Sequence, residues 1–485
     1  MSINLNDQQL RYRRTKIIAT VGPATSSEEK ISQLILAGAN VFRLNMSHGT
    51  HDMHRLMSQR IRTVAAQHQS HIAILADLCG PKIRVGQFQA GFIQLETADL
   101  ITVTTRPVMG EDKLIPSQYA QLHQELRPQH RIFLDDGLLE LCVESIQGQD
   151  LLCRVIQGGK LSNGKGMNLP DSYITAPPLT QKDKDDVCFA LSIGIDMLAL
   201  SFVSCAQDIV QLKELLAEHG ENVPIIAKVE RLEALKNSEE IAQEADAIMI
   251  ARGDLGVELD IEQVPVVQKE LISLAKKYAK PVIVATQMLE SMTQHPRPTR
   301  AEVADVSQSV SSGVDAIMLS AETASGKHPI SAVQMMNRIA RQAESHAWLH
   351  GAFSILERRI DNQSANNPVS AAVARSTAAL SRELSVHAII VISNTGVTTT
   401  TMSSARPAAP IVAISPHMKT CCRTNLCWGV IPFFEQNTEQ QDPLQLARRI
   451  AIELKLAKKG DYIIIVQGFN KKKDLSTPSI TTIVV

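Results

Sequence analysis

Aromatic residues make up only 4% of this 485-residue chain, and none of its apolar runs approaches the length of a membrane span. Charge of one sign is lacking too: 49 Lys and Arg stand against 50 Asp and Glu. That balance argues against a general nucleic-acid binder, although a local basic patch is compatible with it. No C-x-x-C pair occurs among the eight cysteines, and Cys421, Cys422 and Cys427 cluster without a matching His, so no structural zinc site is expected. The opening Met1-Ser2-Ile3-Asn4-Leu5-Asn6-Asp7 has no apolar signal region, and export is not expected. Scattered thiols and no secretory signature suit a cytoplasmic protein with no membrane partner.

What is present is a repeated strand-then-helix texture. Short β-branched runs at Lys16–Val21, Val41–Leu44 and Ile72–Asp77 read as strands, with capping signals for a helix at Thr25 or Ser26 and an amphipathic helix over His54–Gln67. From about Val85 to Pro178 short alternating stretches separated by Gly-rich turns indicate a β insertion. The alternation resumes at Asp196–Ser201 and continues through Ile225–Glu230, Ala247–Ala251, Pro281–Thr286 and Asp315–Ser320, with Thr299 and Glu302 forming another capping box. Eight such units predict a closed (β/α)8 TIM barrel, with a small β-barrel lid inserted after the third strand. After a polar stretch at 358–367, read as a linker, strands at 387–392, 410–414, 462–466 and 480–485 predict an open α/β domain. The expected division is barrel 1–80, lid 81–177, barrel 178–350 and carboxy-terminal domain 351–485.

The chemistry concentrates at strand ends, where a barrel keeps its active site. Lys228 and Glu230, two apart on one strand, point to the same side. Arg252-Gly253-Asp254 follows the next strand. Arg43, Asp77, Ser201, Thr286, Ser320 and Glu322 occupy equivalent positions. Alone, Lys-x-Glu is more often an exposed ion pair, Arg-Gly-Asp a turn, and Thr286 or Ser320 a helix cap. Together, two carboxylates, a Lys and an Arg would neutralise a divalent metal and a phosphorylated substrate in one place.

Six segments in order then resemble one family: Asn45–Gly49, Asp77–Arg84, Ala251–Gly256, Ala285–Met292, Arg297–Glu302 and Met318–Ala324 are similar to the pyruvate kinases. The resemblance implies phosphoryl transfer from phosphoenolpyruvate to ADP. It implies Glu230 and Asp254 as ligands of Mg²⁺ or Mn²⁺, and Lys228 beside the transferring phosphoryl. Arg43 would grip the substrate phosphate, the amides of Arg252, Gly253 and Asp254 its carboxylate, and Thr286 and Ser320 the route that protonates enolpyruvate. Arg84, Lys165, His48 and Asn45 match nucleotide-side positions, with Lys165 reaching in from the lid. The family is usually a homotetramer.

Two departures matter. Many members hold K⁺ with residues matching Asn45, Ser47, Asp77 and a Thr; here Leu78 replaces the Thr, and Lys82 stands where a Glu is common. Lys82 is therefore expected to act as an internal cation, making K⁺ unnecessary. Ser325 stands where a Lys is common. In the third domain Ser393, Asn394, Thr395, Gly396 and Thr398 resemble the family's effector loop, which implies a phosphorylated metabolite as activator. Phosphoenolpyruvate-binding lyases, dikinases and a non-catalytic sensor are the competing classes; the first two leave Arg84 and Lys165 unexplained.

Overall fold

The computed structural model describes residues 12–172, 177–349, 368–469 and 477–485. The amino-terminal stretch and the expected linker at 358–367 lie outside them. Eight parallel strands close into a barrel: Lys16–Thr20, Val41–Asn45, Ala73–Asp77, Met197–Leu200, Ile225–Val229, Ala247–Ala251, Val282–Ala285 and Ala316–Leu319. Closure is made by the first strand, which pairs Lys16 with Ala316 on one side and Ile18 with Val41 on the other. Strands covered on both faces read as continuous apolar runs, which is why the pattern was visible. One alternate set, including Ile18, Leu75, Met249 and Ile283, fills the barrel interior; the other packs beneath the surrounding helices. Cys422 and Leu426, from the carboxy-terminal domain, join the interior set.

Local signals mostly fall where expected. The first barrel helix, Glu28–Ala37, is capped by Ser27, whose hydroxyl accepts from Lys30 N, because Pro23–Thr25 forms a short 3-10 turn that displaces the expected cap at Thr25 or Ser26. Thr299 and Glu302 form the capping box that opens helix Arg300–Ser311.

The insertion is mostly β, with one short helix at Leu122–Glu125: a six-stranded and a two-stranded sheet share one apolar core that includes Val85, Leu141 and Val155. Both chain crossings between lid and barrel meet at one buried carboxylate. Asp183 accepts from Gly80 N (3.0 Å) on the outgoing segment, and from Thr180 N (3.0 Å) and Thr180 Oγ1 (2.5 Å) on the returning one. Gly80 lies at φ +66, and a Cβ there would come within 2.8 Å of the Phe202 ring, so no larger residue fits the crossing.

The carboxy-terminal sheet has five strands in the order Val430–Phe434, Ile411–Ser415, Ala388–Ile392, Tyr462–Gln467, Ser479–Val484, the last antiparallel. The edge strand Val430–Phe434 was missing from the sequence expectation: its Pro432 argues against a central strand but is tolerated at an edge. This domain lies against the amino-terminal ends of the barrel strands. Arg406 makes a bidentate pair with Asp315 (2.8 and 2.7 Å), and Asn425 Nδ2 donates to the carbonyls of Asn40 (3.1 Å) and His71 (2.8 Å). No helix among the described residues is long and apolar enough to cross a membrane, and all eight cysteines are unpaired.

Candidate active site

At the carboxy-terminal mouth the strand ends bring four charged groups into one chain of contacts. Arg43 Nε donates to Asp77 Oδ2 (2.6 Å), and its Nη1 to Thr20 Oγ1 (3.1 Å). Lys228 Nζ lies 2.8 Å from Glu230 Oε1 and 3.3 Å from Asp77 Oδ1, and donates to Ser201 Oγ at 2.6 Å. Glu230 Oε2 accepts from Phe202 N at 2.7 Å. Asp77 is thus the bridge between the two cations, at 1% exposure. The sequence pattern put Asp77 and Ser201 at strand ends but gave neither a catalytic role. Alternation along a strand shows which side a residue faces, not which neighbour it meets.

Burial alone would raise the Asp77 carboxyl, but the charges and hydrogen bonds of Lys228 and Arg43 outweigh it and hold it below the usual carboxylate range. Burial likewise works against the Lys228 ammonium, and Asp77 and Glu230 overcome it, so Lys228 stays charged. Glu230 is pushed up, first by burial and then by the like charge of Asp254, against the pull of Lys228. Two carboxylates that repel one another beside an open mouth form a donor set suited to a hard divalent cation that completes its shell with water and substrate oxygens. Among the described residues no group of three or more His, Cys, Asp or Glu offers a self-sufficient metal cage.

Lys82 Nζ lies 3.6 Å from Asp254 Oδ1. Leu78 is 1% exposed in the barrel core, and its side chain offers a cation no ligand atom. The nucleotide-side residues come from two bodies. His48 and Asn45 sit on the barrel, with Nδ1 and Nδ2 3.1 Å apart. Arg84 and Lys165 sit on paired lid segments, where Arg84 Nη1 donates to Gly164 O (2.9 Å) and Lys165 pairs with Asp135 (2.7 Å). The lid is close enough that Arg84, together with Arg43, Lys82 and above all burial, holds the His48 imidazole below its usual pKa. Lid and barrel also touch through Asn168 Nδ2 and Glu258 Oε1, 3.4 Å apart.

Arg252, Gly253 and Asp254 form the first turn of helix Arg252–Glu258, not an isolated turn. The Arg252 guanidinium is turned into the fold, donating to Asp305 Oδ1 (2.6 Å) and to the carbonyl of Thr286 (2.8 Å). Gly253 N donates to Thr286 Oγ1 at 2.7 Å, and that hydroxyl donates to Ala285 O at 2.6 Å. A Cβ on Gly253 would come within 3.3 Å of the hydroxyl, so glycine permits the approach. Ser320 Oγ is buried with no partner among the described residues, while Ser320 N donates to Glu322 Oε2 (2.7 Å). Asp305 holds Arg252, and Glu302 accepts from Ser291 N (2.7 Å) and Thr299 N (2.7 Å) at the start of helix Arg300–Ser311; neither entered the expected site.

In the third domain Ser393–Gly396 connects strand Ala388–Ile392 to helix Val397–Ser404. Ser393 Oγ accepts from Gly396 N at 3.0 Å, Asn394 and Thr395 are exposed, and Thr398 is buried.

Two family descriptions match the chain: "Pyruvate kinase, barrel domain" over residues 12–333 and "Pyruvate kinase, alpha/beta domain" over residues 371–481. The chain is 43% identical over 461 residues to pyruvate kinase 2 of Synechocystis, a match covering 94% of this chain and 76% of that protein. It is 39% identical over 473 residues to the pyruvate kinase of Agrobacterium vitis, covering 97% and 96%. A crystal structure of a pyruvate kinase from Cryptosporidium parvum superposes with a TM-score of 0.90 at 33% identity, covering 98% of this chain and 97% of that one. The chain is a phosphotransferase that belongs to the pyruvate kinase family.

Proposed function

We propose that the chain transfers the phosphoryl group of phosphoenolpyruvate to ADP, giving ATP and pyruvate, with the barrel mouth as the site of chemistry. The observation that carries this reading is the Arg43–Asp77–Lys228–Glu230 chain of contacts with Asp254 beside it. Glu230 and Asp254 would hold a divalent cation, Mg²⁺ or Mn²⁺, which when bound supplies positive charge to the phosphate and enolate oxygens. Arg43, fixed by Asp77 and Thr20, orients a substrate phosphate with its planar fork. Lys228, kept charged by Asp77 and Glu230, stabilises the charge that develops as the phosphoryl leaves. Binding of the substrate carboxylate at the Gly253 amide requires that amide to exchange its Thr286 partner. Arg84 and Lys165, brought down by the lid, face the nucleotide together with His48, whose imidazole is held below its usual pKa and meets Asn45 through Nδ1.

The finer readings belong to the same proposal. Lys82 replaces the monovalent cation, Ser393, Asn394, Thr395, Gly396 and Thr398 receive a phosphorylated activator, the units divide at 80, 177 and 350, and the protein works in the cytoplasm as a homotetramer. The deciding experiment is pyruvate release from phosphoenolpyruvate with and without ADP and Mg²⁺. Pyruvate must appear only when both are present; a lyase would be indifferent to ADP. A panel of sugar phosphates and AMP, titrated against the half-saturation for phosphoenolpyruvate, tests the effector loop; no shift with any of them removes that part.

A further inference from the structure

Two consecutive residues at the mouth, Thr286 and Gln287, lie in the left-handed region at φ 69 and 54. Neither is glycine, and Thr is β-branched, so the conformation persists only where its surroundings over-determine it. The Arg252 guanidinium does so: one amino group, Nη2, donates to the carbonyls of Thr286 (2.8 Å) and Gln287 (3.2 Å). The other, Nη1, donates to Asp305 Oδ1 at 2.6 Å from helix Arg300–Ser311. The Arg252 side chain is 9% exposed and Asp305 is its one ion-pair partner among the described residues. Without Asp305, whose own side chain is 34% exposed, the nearly buried guanidinium charge is uncompensated and is drawn toward water. That movement releases both carbonyls and with them the Thr286 hydroxyl, which meets the Gly253 amide at 2.7 Å.

We propose that Asp305 is a positioning residue for proton delivery: acting only through Arg252, it keeps the Thr286–Gln287 turn left-handed and so fixes where the Thr286 hydroxyl sits. This rests on the reading of Thr286 as part of the route that protonates enolpyruvate. In that step the enolate electron pair takes a proton from the hydroxyl–water relay, a C–H bond forms at C3, the carbonyl of pyruvate is completed, and solvent returns the proton to the relay. Phosphoryl transfer itself does not pass through Asp305.

The test measures steady-state turnover with phosphoenolpyruvate, ADP and Mg²⁺, and separately the entry of solvent deuterium into the methyl group of pyruvate with Mg²⁺ and ATP. The proteins are the unsubstituted chain, Asp305→Ala, Asp305→Asn, Thr286→Ala and Thr286→Ala with Asp305→Ala. Asp305→Ala is expected to slow methyl exchange and kcat by about 10-fold or more, with KM for both substrates retained, because a small misplacement of a reacting group is costly. Asp305→Asn, whose amide oxygen still accepts from Arg252, falls in between. On the Thr286→Ala background Asp305→Ala adds less than about twofold, since both changes act on one element. Methyl exchange untouched by Asp305→Ala, or an equal loss in both backgrounds, overturns the proposal. If Asp305→Ala does not fold by near-ultraviolet circular dichroism, Asp305→Asn carries the same comparison. An unsubstituted protein that releases no pyruvate overturns the proposed function and this inference together, whereas normal turnover with insensitive Asp305 variants overturns only the inference.

Discussion

Glu230 separates chemistry from folding more sharply than any other side chain at the mouth. It is 1% exposed, and its carboxyl is pushed up by burial, so its charge costs the folded state free energy at neutral pH. Glu230→Gln keeps one carbonyl acceptor in place of two carboxylate oxygens, so it serves either Phe202 N or Lys228 but not both, and it removes a metal donor and the charge. Pyruvate release is expected to fall by about 10³-fold, the scale seen when one electrostatic stabiliser is lost, while a single cooperative unfolding transition is retained. Turnover and a melting curve on the same preparation check this. Lys82 offers a second test. Turnover should show no several-fold rise when K⁺ replaces a bulky organic cation at equal ionic strength; a rise would remove Lys82 from that role. Arg43, Lys228, Glu230 and Asp254 were legible because charge at the end of an apolar strand is conspicuous. The left-handed turn at Thr286 was not, since residue type there gives no hint of positive φ. The inward direction of Arg252 was hidden too, because its partner Asp305 lies 53 residues on, in another helix.

Among the elements, the contact between lid and barrel carries a pH-sensitive group. Burial, its largest cause, pushes Glu258 up to about 7, against its hydrogen bond from Asn168 and the attraction of Arg231. In that case the folded state holds a proton that the unfolded chain has released. The penalty grows from about pH 4.5 to about pH 7 and is fully present above that. Glu258→Gln is therefore expected to stabilise the protein above pH 7 by on the order of 2 kcal/mol and to leave it unchanged below pH 4.5. Urea unfolding at pH 4.5 and pH 8 measures the difference. The lid crossings carry a complementary expectation: Asp183→Ala leaves the amides of Gly80 and Thr180 unpartnered, costing about 1–3 kcal/mol. The eight barrel strands were readable as short continuous apolar runs, because both of their faces are covered. The edge strand at Val430–Phe434 was not, because an internal proline reads as a break until the strand's place in the sheet is known.

For the whole molecule, stability is set where the carboxy-terminal domain meets the barrel. Lys16 is fully buried there, donating to Val430 O at 2.5 Å, and burial pulls its pKa from 10.5 down to about 7. The sign is opposite to that of a salt-bridged lysine. The unfolded chain keeps the proton that the folded one has lost, so stability rises from about pH 7 to about 10.5 and the penalty is largest below pH 7. Lys16→Met should flatten that rise, which melting curves at pH 7 and pH 9 detect. Breaking the buried Arg406–Asp315 pair by Arg406→Ala is expected to cost about 3–5 kcal/mol, because it leaves the buried Asp315 carboxylate, which also accepts from the amides of Val282 and Trp428, without its paired cation. Calorimetry would then resolve two transitions in place of one. The lower end of the barrel adds a last consequence. Cys422 and Leu426 act as its stopper, sealing side chains of Ile18, Leu75 and Ile283 from below. Excising the catalytic half by cutting before residue 368 would leave a hydrophobic well open at the base, and such a fragment would clump with its own kind instead of standing alone as a smaller enzyme.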